Sequence, residues 1–108
     1  MLGLGEAPQA TADLIKDVTE ATFMADVIET SREVPVIVDF WATWCGPCKT
    51  LGPMLEAAVT AAGGKVRMAK VDVDKNQRIA AQLRIQSIPT VYAFWQGQPV
   101  DGFQGAVP

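Results

Sequence analysis

No histidine occurs anywhere in the chain, and cysteine occurs only twice. The first absence removes Ser-His and Cys-His catalysis and every zinc site that needs a histidine ligand. Two cysteines alone cannot close a four-ligand zinc site within one chain. Clusters of Lys and Arg are missing too, and a net charge of −3 leaves no electropositive footprint for nucleic acid. No apolar run approaches the length of about eighteen residues that a membrane helix needs. The first eight residues, Met1 to Pro8, carry neither a positive n-region nor an apolar stretch of signal-peptide length. The expected location is therefore cytoplasmic, where a lone cysteine pair is more often catalytic than structural.

What remains is globular. The chain has 108 residues, 49% hydrophobic and 19% charged, which suits one compact domain and excludes a disordered chain. Residues 1–12 are rich in Gly, Ala, Pro and Thr and read as a flexible lead-in to a domain over 13–108. Leu14 to Val18 reads as a short edge strand. Thr19 is placed to cap a helix over 20–32, with Phe23, Met24, Val27 and Ile28 on one face. Pro35 closes that segment.

Residues 36–41 are apolar at nearly every position, as in a central strand covered on both faces; Asp39 is the exception. Cys48, Leu51, Leu55, Ala58 or Val59, and Ala62 then form a helical stripe ending at Gly63-Gly64. Pro53 inside it removes one backbone hydrogen bond and is expected to kink the helix. A strand over 66–73 follows, then a turn with Asn76 as cap and a helix over 77–84. After the loop 85–90, strands at 91–95 and 100–104 flank a hairpin turn. Gly105 to Pro108 reads as the approach to another helix. The order β-α-β-α-β-α-β-β predicts a three-layer α/β domain with a mixed sheet, parallel through its crossovers and closed by an antiparallel hairpin.

Cys45-Gly46-Pro47-Cys48 sits where the central strand hands over to the next helix. A thiolate attacks disulfides, a free thiol has its pKa at about 8.5, and a helix N-terminus lowers it. Cys45 lies at the unpaired N–H groups of that terminus, and Pro47 fits a first turn that needs no N–H from it. The expected roles are Cys45 as nucleophile and Cys48, one turn on and more buried, as resolving thiol. A purely structural pair, or a metal pair completed by another chain, stays open on these residues alone.

The run Phe40-Trp41-Ala42-Thr43-Trp44-Cys45-Gly46-Pro47-Cys48-Lys49 resembles the active-site signature of the thioredoxin family, and the likeness extends from about residue 15 to the end. Distant positions match as well: Asp39 the family's buried acid, Lys70 the lysine near it, Pro53 the helix-kinking proline, and Ile88-Pro89 the cis-proline loop. Gly97 falls in the last hairpin turn, and Gly105 matches a glycine bordering the substrate groove. The resemblance implies a thioredoxin-like fold and no bound cofactor. It implies catalytic roles for Cys45, Cys48, Asp39 and Lys70, and a substrate surface made by Trp44, Gly46, Pro47, Ile88, Pro89 and Gly105. Trp41 and Pro53 are implied as structural neighbours of the site, with Trp41 shielding it. An aspartate in an apolar strand loses hydration, so its pKa rises unless Lys70 compensates. Near neutrality it would take the proton of Cys48 as that thiol attacks. The plainer reading is a structural Asp39–Lys70 pair.

Two functions follow. The first is a protein-disulfide reductase acting on disulfide-containing proteins, because the Gly-Pro pair resembles the reducing members of the family; the family implies a flavin- and NADPH-dependent reductase as electron donor. The second is a co-chaperone module that holds unfolding clients. Asp13 to Thr19 and Gly97 to Ala106 resemble thioredoxin-like co-chaperones bearing tetratricopeptide repeats. Thioredoxins also close with a helix after the glycine matching Gly105, and that helix is missing from this chain. An uncovered apolar sheet face is an aggregation liability, so the 108 residues are expected to be a fragment.

Overall fold

The strand expected to be central, β2 (Val36–Trp41), lies in the middle of a five-stranded sheet. The computed structural model describes residues 11–105. The lead-in before residue 11 and the helix expected after Gly105 lie outside the described residues. Thr11, assigned above to the lead-in, instead opens a one-turn helix, α1 (Thr11–Leu14), which runs into β1 (Ile15–Asp17). The other elements are α2 (Gly46–Ala61), β3 (Arg67–Asp72), α3 (Gln77–Gln82), β4 (Thr90–Trp95) and β5 (Gln98–Gln104).

The sheet runs in the order β1-β3-β2-β4-β5. β3 pairs parallel with β1 and β2, whereas β4 pairs antiparallel with β2 and β5. This is the mixed sheet with a closing hairpin that the element order predicts. Because β2 alternates its side chains between two covered faces, both parities of its sequence are apolar. Val36, Val38 and Phe40 face a core built with Ala69, Val71 and Phe94, covered by Val27 and by Ile79 of α3. On the opposite face Met68 packs with Leu14 and with Val59 of α2. Helical segments therefore lie on both sides of the sheet, giving three layers. Farther along the second face, Ile37, Val91, Ala93 and Phe103 line a shallow groove.

Element ends fall within about two residues of expectation, the usual uncertainty of such boundaries. The segment over 20–32 departs more. It begins as a turn, winds as a π-type helix over Met24–Glu29 and tightens to 3-10 turns over Thr30–Arg32. Its hydroxyls compete with the regular ladder: Thr30 donates to the Ala25 carbonyl at 3.0 Å and Ser31 to the Ile28 carbonyl at 2.7 Å. Ser31 is fully buried, and its hydroxyl also accepts from the Gly97 amide at 2.9 Å, tying this segment to the β4–β5 turn.

Two expected caps are exchanged. Thr19 offers its amide to the Thr22 hydroxyl at 3.0 Å, and its side chain caps no helix among the described residues. Asn76 likewise makes no side-chain cap on α3. Its carboxamide accepts from the Glu20 amide and donates to the Asp72 carbonyl, both at 2.9 Å. The Glu20 carboxylate takes the Arg78 amide at 2.7 Å, a charged acceptor at the start of α3. At the other end of α2, Gly63 takes the left-handed conformation (φ 64°) just past the helix cap. Pro53 sits within α2, which is assigned unbroken across it.

Phe40 is fully buried in β2 and meets Tyr92 edge to face at 5.9 Å between ring centres. Phe40→Ala is expected to lower unfolding free energy by about 3–5 kcal/mol, read from urea denaturation with an unchanged slope.

Candidate active site

β2 ends at Trp41, and the chain turns into α2 within a few residues, closed by the Cys45 amide donating to the Ala42 carbonyl at 3.1 Å. Cys45 is the N-cap of α2, and its sulfur accepts from the Cys48 amide at 3.2 Å. Pro47 occupies the first turn, as the helix requires. The two sulfurs are joined in a disulfide whose Cα atoms lie 5.3 Å apart, an ordinary span for the bond. Both cysteines are buried to the same degree, so the expected greater burial of Cys48 is not observed. Ala42 packs with both cysteines, and Trp41, Val73 and Ile88 close over them. What separates the two thiols is position: Cys45 stands at the positive end of the helix, Cys48 one turn inside it.

The Ile88–Pro89 peptide is cis. Ile88 touches the cysteine cluster, and Pro89 is fully buried. The Pro89 carbonyl accepts from the Gly105 amide at 2.7 Å, and Gly105 has φ 85°, the left-handed region that favours glycine. This brings Gly105 beside the proline loop. Trp44 is 68% exposed, and its indole N–H donates to Asp74 at 2.9 Å. Trp44, Val73, Ile85 and Ile88 line an open, mostly apolar groove next to the disulfide. Gly46 lies in the turn between the cysteines, with open space where a Cβ would sit.

Asp39 points to the other side of the disulfide. It is buried, and its Oδ1 has no hydrogen-bond partner among the described residues. Asp39, Trp41, Cys48, Gly52, Glu56 and Lys70 line a cavity of about 280 Å³ between α2 and the sheet. Burial pushes the Asp39 carboxyl up from 3.8 to about 6; Lys70 pulls it down and Glu56 pushes it up. Lys70 is opposite Asp39 in the β2–β3 register, as the sequence suggests, yet the two form no ion pair among the described residues. Its ammonium sits 3.0 Å from Glu56 instead, over the Trp41 ring at 5.9 Å from the centroid. The structural Asp39–Lys70 pair is thus replaced by a Glu56–Lys70 pair.

Sequence reasoning missed Glu56, Gly52 and Asp74. The signal for the first two was present in the spacing Cys48, Gly52, Glu56, which places all three on one helix face. Asp74 is a loop residue whose only mark is its contact with Trp44, which no local pattern encodes.

Taken together, a helix-capping cysteine pair on a mixed α/β sheet, backed by a buried acid and faced by a cis-proline loop, defines a dithiol–disulfide exchange domain. The family model Thioredoxin matches residues 14–108. Thioredoxin 1 of Nostoc sp. is 45% identical over 84% of this chain and 83% of its own length. Thioredoxin of Streptomyces clavuligerus is 44% identical over 90% of this chain and 88% of its own length. A bifunctional thioredoxin reductase/thioredoxin of Mycobacterium leprae is 47% identical over 83% of this chain, which spans 19% of that longer protein. The chain belongs to the thioredoxin family, and its Cys45–Cys48 pair is a thiol–disulfide oxidoreductase centre.

The raised Asp39 carboxyl has a sign that stability measurements can read. Between pH 3.8 and about 6 the folded protein holds a proton that the unfolded chain has lost. This contribution to stability is complete below the unfolded value and is lost as pH rises through the folded one, roughly 3 kcal/mol in all. Asp39→Asn, which carries no charge at any pH, is expected to exceed the parent by about 2–3 kcal/mol at pH 8. The difference should vanish below pH 4 in denaturant titrations of the oxidised protein.

Proposed function

We propose that this protein reduces disulfides in other proteins, with Cys45 as the attacking sulfur. The observation that carries the reading is the joined Cys45–Cys48 pair with Cys45 as N-cap of α2. In the dithiol state, the helix N-terminus favours the Cys45 thiolate. That thiolate attacks one sulfur of a substrate disulfide. A mixed disulfide forms, and the first substrate thiolate leaves and takes up a proton. Cys48 then gives its proton to Asp39, directly or through water in the cavity, and attacks the Cys45 sulfur. The second substrate thiolate leaves, and the Cys45–Cys48 disulfide closes. Two electrons pass to the substrate, and the dithiol is oxidised by the same two.

The groove of Trp44, Val73 and Ile88 suits an extended, partly apolar substrate segment beside the reacting sulfurs. We assign Gly46, Pro47, Pro89 and Gly105 to the same substrate surface: Gly46 and Pro47 lie between the cysteines, Pro89 follows Ile88 of the groove, and Gly105 hydrogen-bonds to Pro89. Regeneration of the dithiol needs an external donor, for which we infer a flavin- and NADPH-dependent reductase. The M. leprae relative, whose name joins both activities in one chain, supports that inference. No helix among the described residues is long and apolar enough to cross a membrane. A reductase-fed dithiol belongs in the cytoplasm, where thiols are kept reduced. The redox reading is preferred to the holdase reading because it uses the groups that the fold assembles.

Dithiothreitol-driven insulin reduction tests this function. Cys45→Ser is expected to abolish turnover and to form no mixed disulfide. Cys48→Ser is expected to abolish turnover while accumulating a covalent adduct through Cys45, visible on non-reducing gels and reversed by reductant. Full activity in either variant would overturn the assignment.

A further inference from the structure

Lys70 has a natural partner that it does not take. Asp39 and Lys70 are directly opposed in the β2–β3 register, and both point to the α2 face of the sheet. A lysine stem is long and flexible, and an unpaired buried carboxyl is the strongest attractor within its reach. Yet the ammonium lies 3.0 Å from Glu56 Oε2, and the Trp41 ring supports it from one side. Asp39 Oδ1 is left with no partner among the described residues.

The other charged groups around Asp39 do not replace Lys70. From α2 the cavity receives Cys48, Lys49 and Glu56; from β3 it receives Lys70. β4 places the apolar Val91 opposite Asp39. Lys49 also lines the cavity, but neither it nor any other cation forms a salt bridge with Asp39 among the described residues. Gly52 lies between Cys48 and Glu56 on the same helix face; a Cβ there would come within 3.7 Å of Asp39 Oδ2. The helix thus offers Asp39 an open gap at Gly52 and a competing anion at Glu56.

We propose that Glu56 is a positioning residue that holds Lys70 at the cavity mouth and so keeps Asp39 free to receive the proton of Cys48. The inference deepens the reductase reading and rests on it for its purpose, though not for its geometry. An opposite charge brought within about 4–6 Å stabilises a carboxylate and weakens it as a base. With Glu56 removed, Lys70 turns to Asp39, and the acid ionises at lower pH. The Glu56–Lys70 pair is partly exposed and contributes little stability by itself, so its removal acts on the acid and not on the fold.

The test is a pH titration of the Asp39 carboxyl by carbon-13 NMR in the oxidised protein. The signal is assigned by its loss in Asp39→Asn. Four proteins are compared: the parent, Glu56→Gln, Lys70→Met and the double variant. Glu56→Gln is expected to lower the Asp39 midpoint by about one pH unit. Lys70→Met is expected to raise it. In the Lys70→Met background the further change to Gln at position 56 is expected to lower it by less than half as much, since only direct repulsion is then lost. An unchanged or raised midpoint in Glu56→Gln overturns the proposal. An equal fall in both backgrounds also overturns it, because Glu56 would then act as a bare charge and not through Lys70. The titration uses no substrate and no reductant, so its failure is distinguishable from failure of the insulin assay.

Discussion

The site depends first on how β2 is held. This strand is bonded to β3 on one edge and β4 on the other, and both of its faces are covered. A strand fixed on four sides leaves its side chains no choice of face, since a one-residue slip would turn Val36, Val38 and Phe40 out of the core. The same constraint that seats those three commits Asp39 to the opposite face, beneath α2. It also fixes where the chain must turn into that helix, and hence where Cys45 meets the N-terminal amides. The acid and the thiols are two readings of one register.

Within that frame the magnitudes decide which effects matter. A helix N-terminus favours an anion by about 0.3–1 kcal/mol at exposed sites and up to about 2 when partly buried. The net rise of the Asp39 carboxyl to about 6, led by burial, is worth roughly 3 kcal/mol in the opposite sense, disfavouring its charge. The Lys70 attraction does not reverse this, and the Lys70 ammonium lies against Glu56. Asp39 therefore gives up its proton only near pH 6 and can take one back close to neutrality, while Cys45 stands at the helix N-terminus that favours a thiolate. Both settings come from placement, with no metal-binding cluster among the described residues.

Much of this was legible in the sequence. The unbroken apolar run of β2 named the central strand, and Asp39 stood out against it as a lone charge. The Cys45–Cys48 spacing at a strand-to-helix junction pointed to thiol chemistry, the family resemblance narrowed it to disulfide exchange, and the distant Pro89 and Gly105 that the resemblance singled out meet in space through one hydrogen bond. What escaped were contacts between elements. Glu20 caps α3 from more than fifty residues away, and Asn76 is occupied elsewhere, so the local cap rule chose the wrong residue. The hydroxyls of Thr30 and Ser31 recast an amphipathic helix as π and 3-10 turns, which periodicity does not register. The equal burial of the two cysteines arises from Ile88 and Val73, both supplied by other segments. Register alone assigned Lys70 to Asp39, and an acid on the overlying helix won it.

Gly52 shows what kind of sequence signal such a site does leave. Glycine within a helix costs about 1 kcal/mol relative to alanine, and proline costs more, yet α2 carries Gly52 and Pro53 side by side. Neither serves the helix. Pro53 and Gly52 both border the cavity, and at Gly52 any side chain would come into contact with Asp39. Local rules are broken where function asks for something else. Here glycine leaves open space on the helix side of a buried acid, between the thiol at Cys48 and the carboxylate at Glu56. The weakest stretch of α2 by propensity is therefore the stretch that faces Asp39, between the Cys48 thiol and the carboxylate that pairs with Lys70.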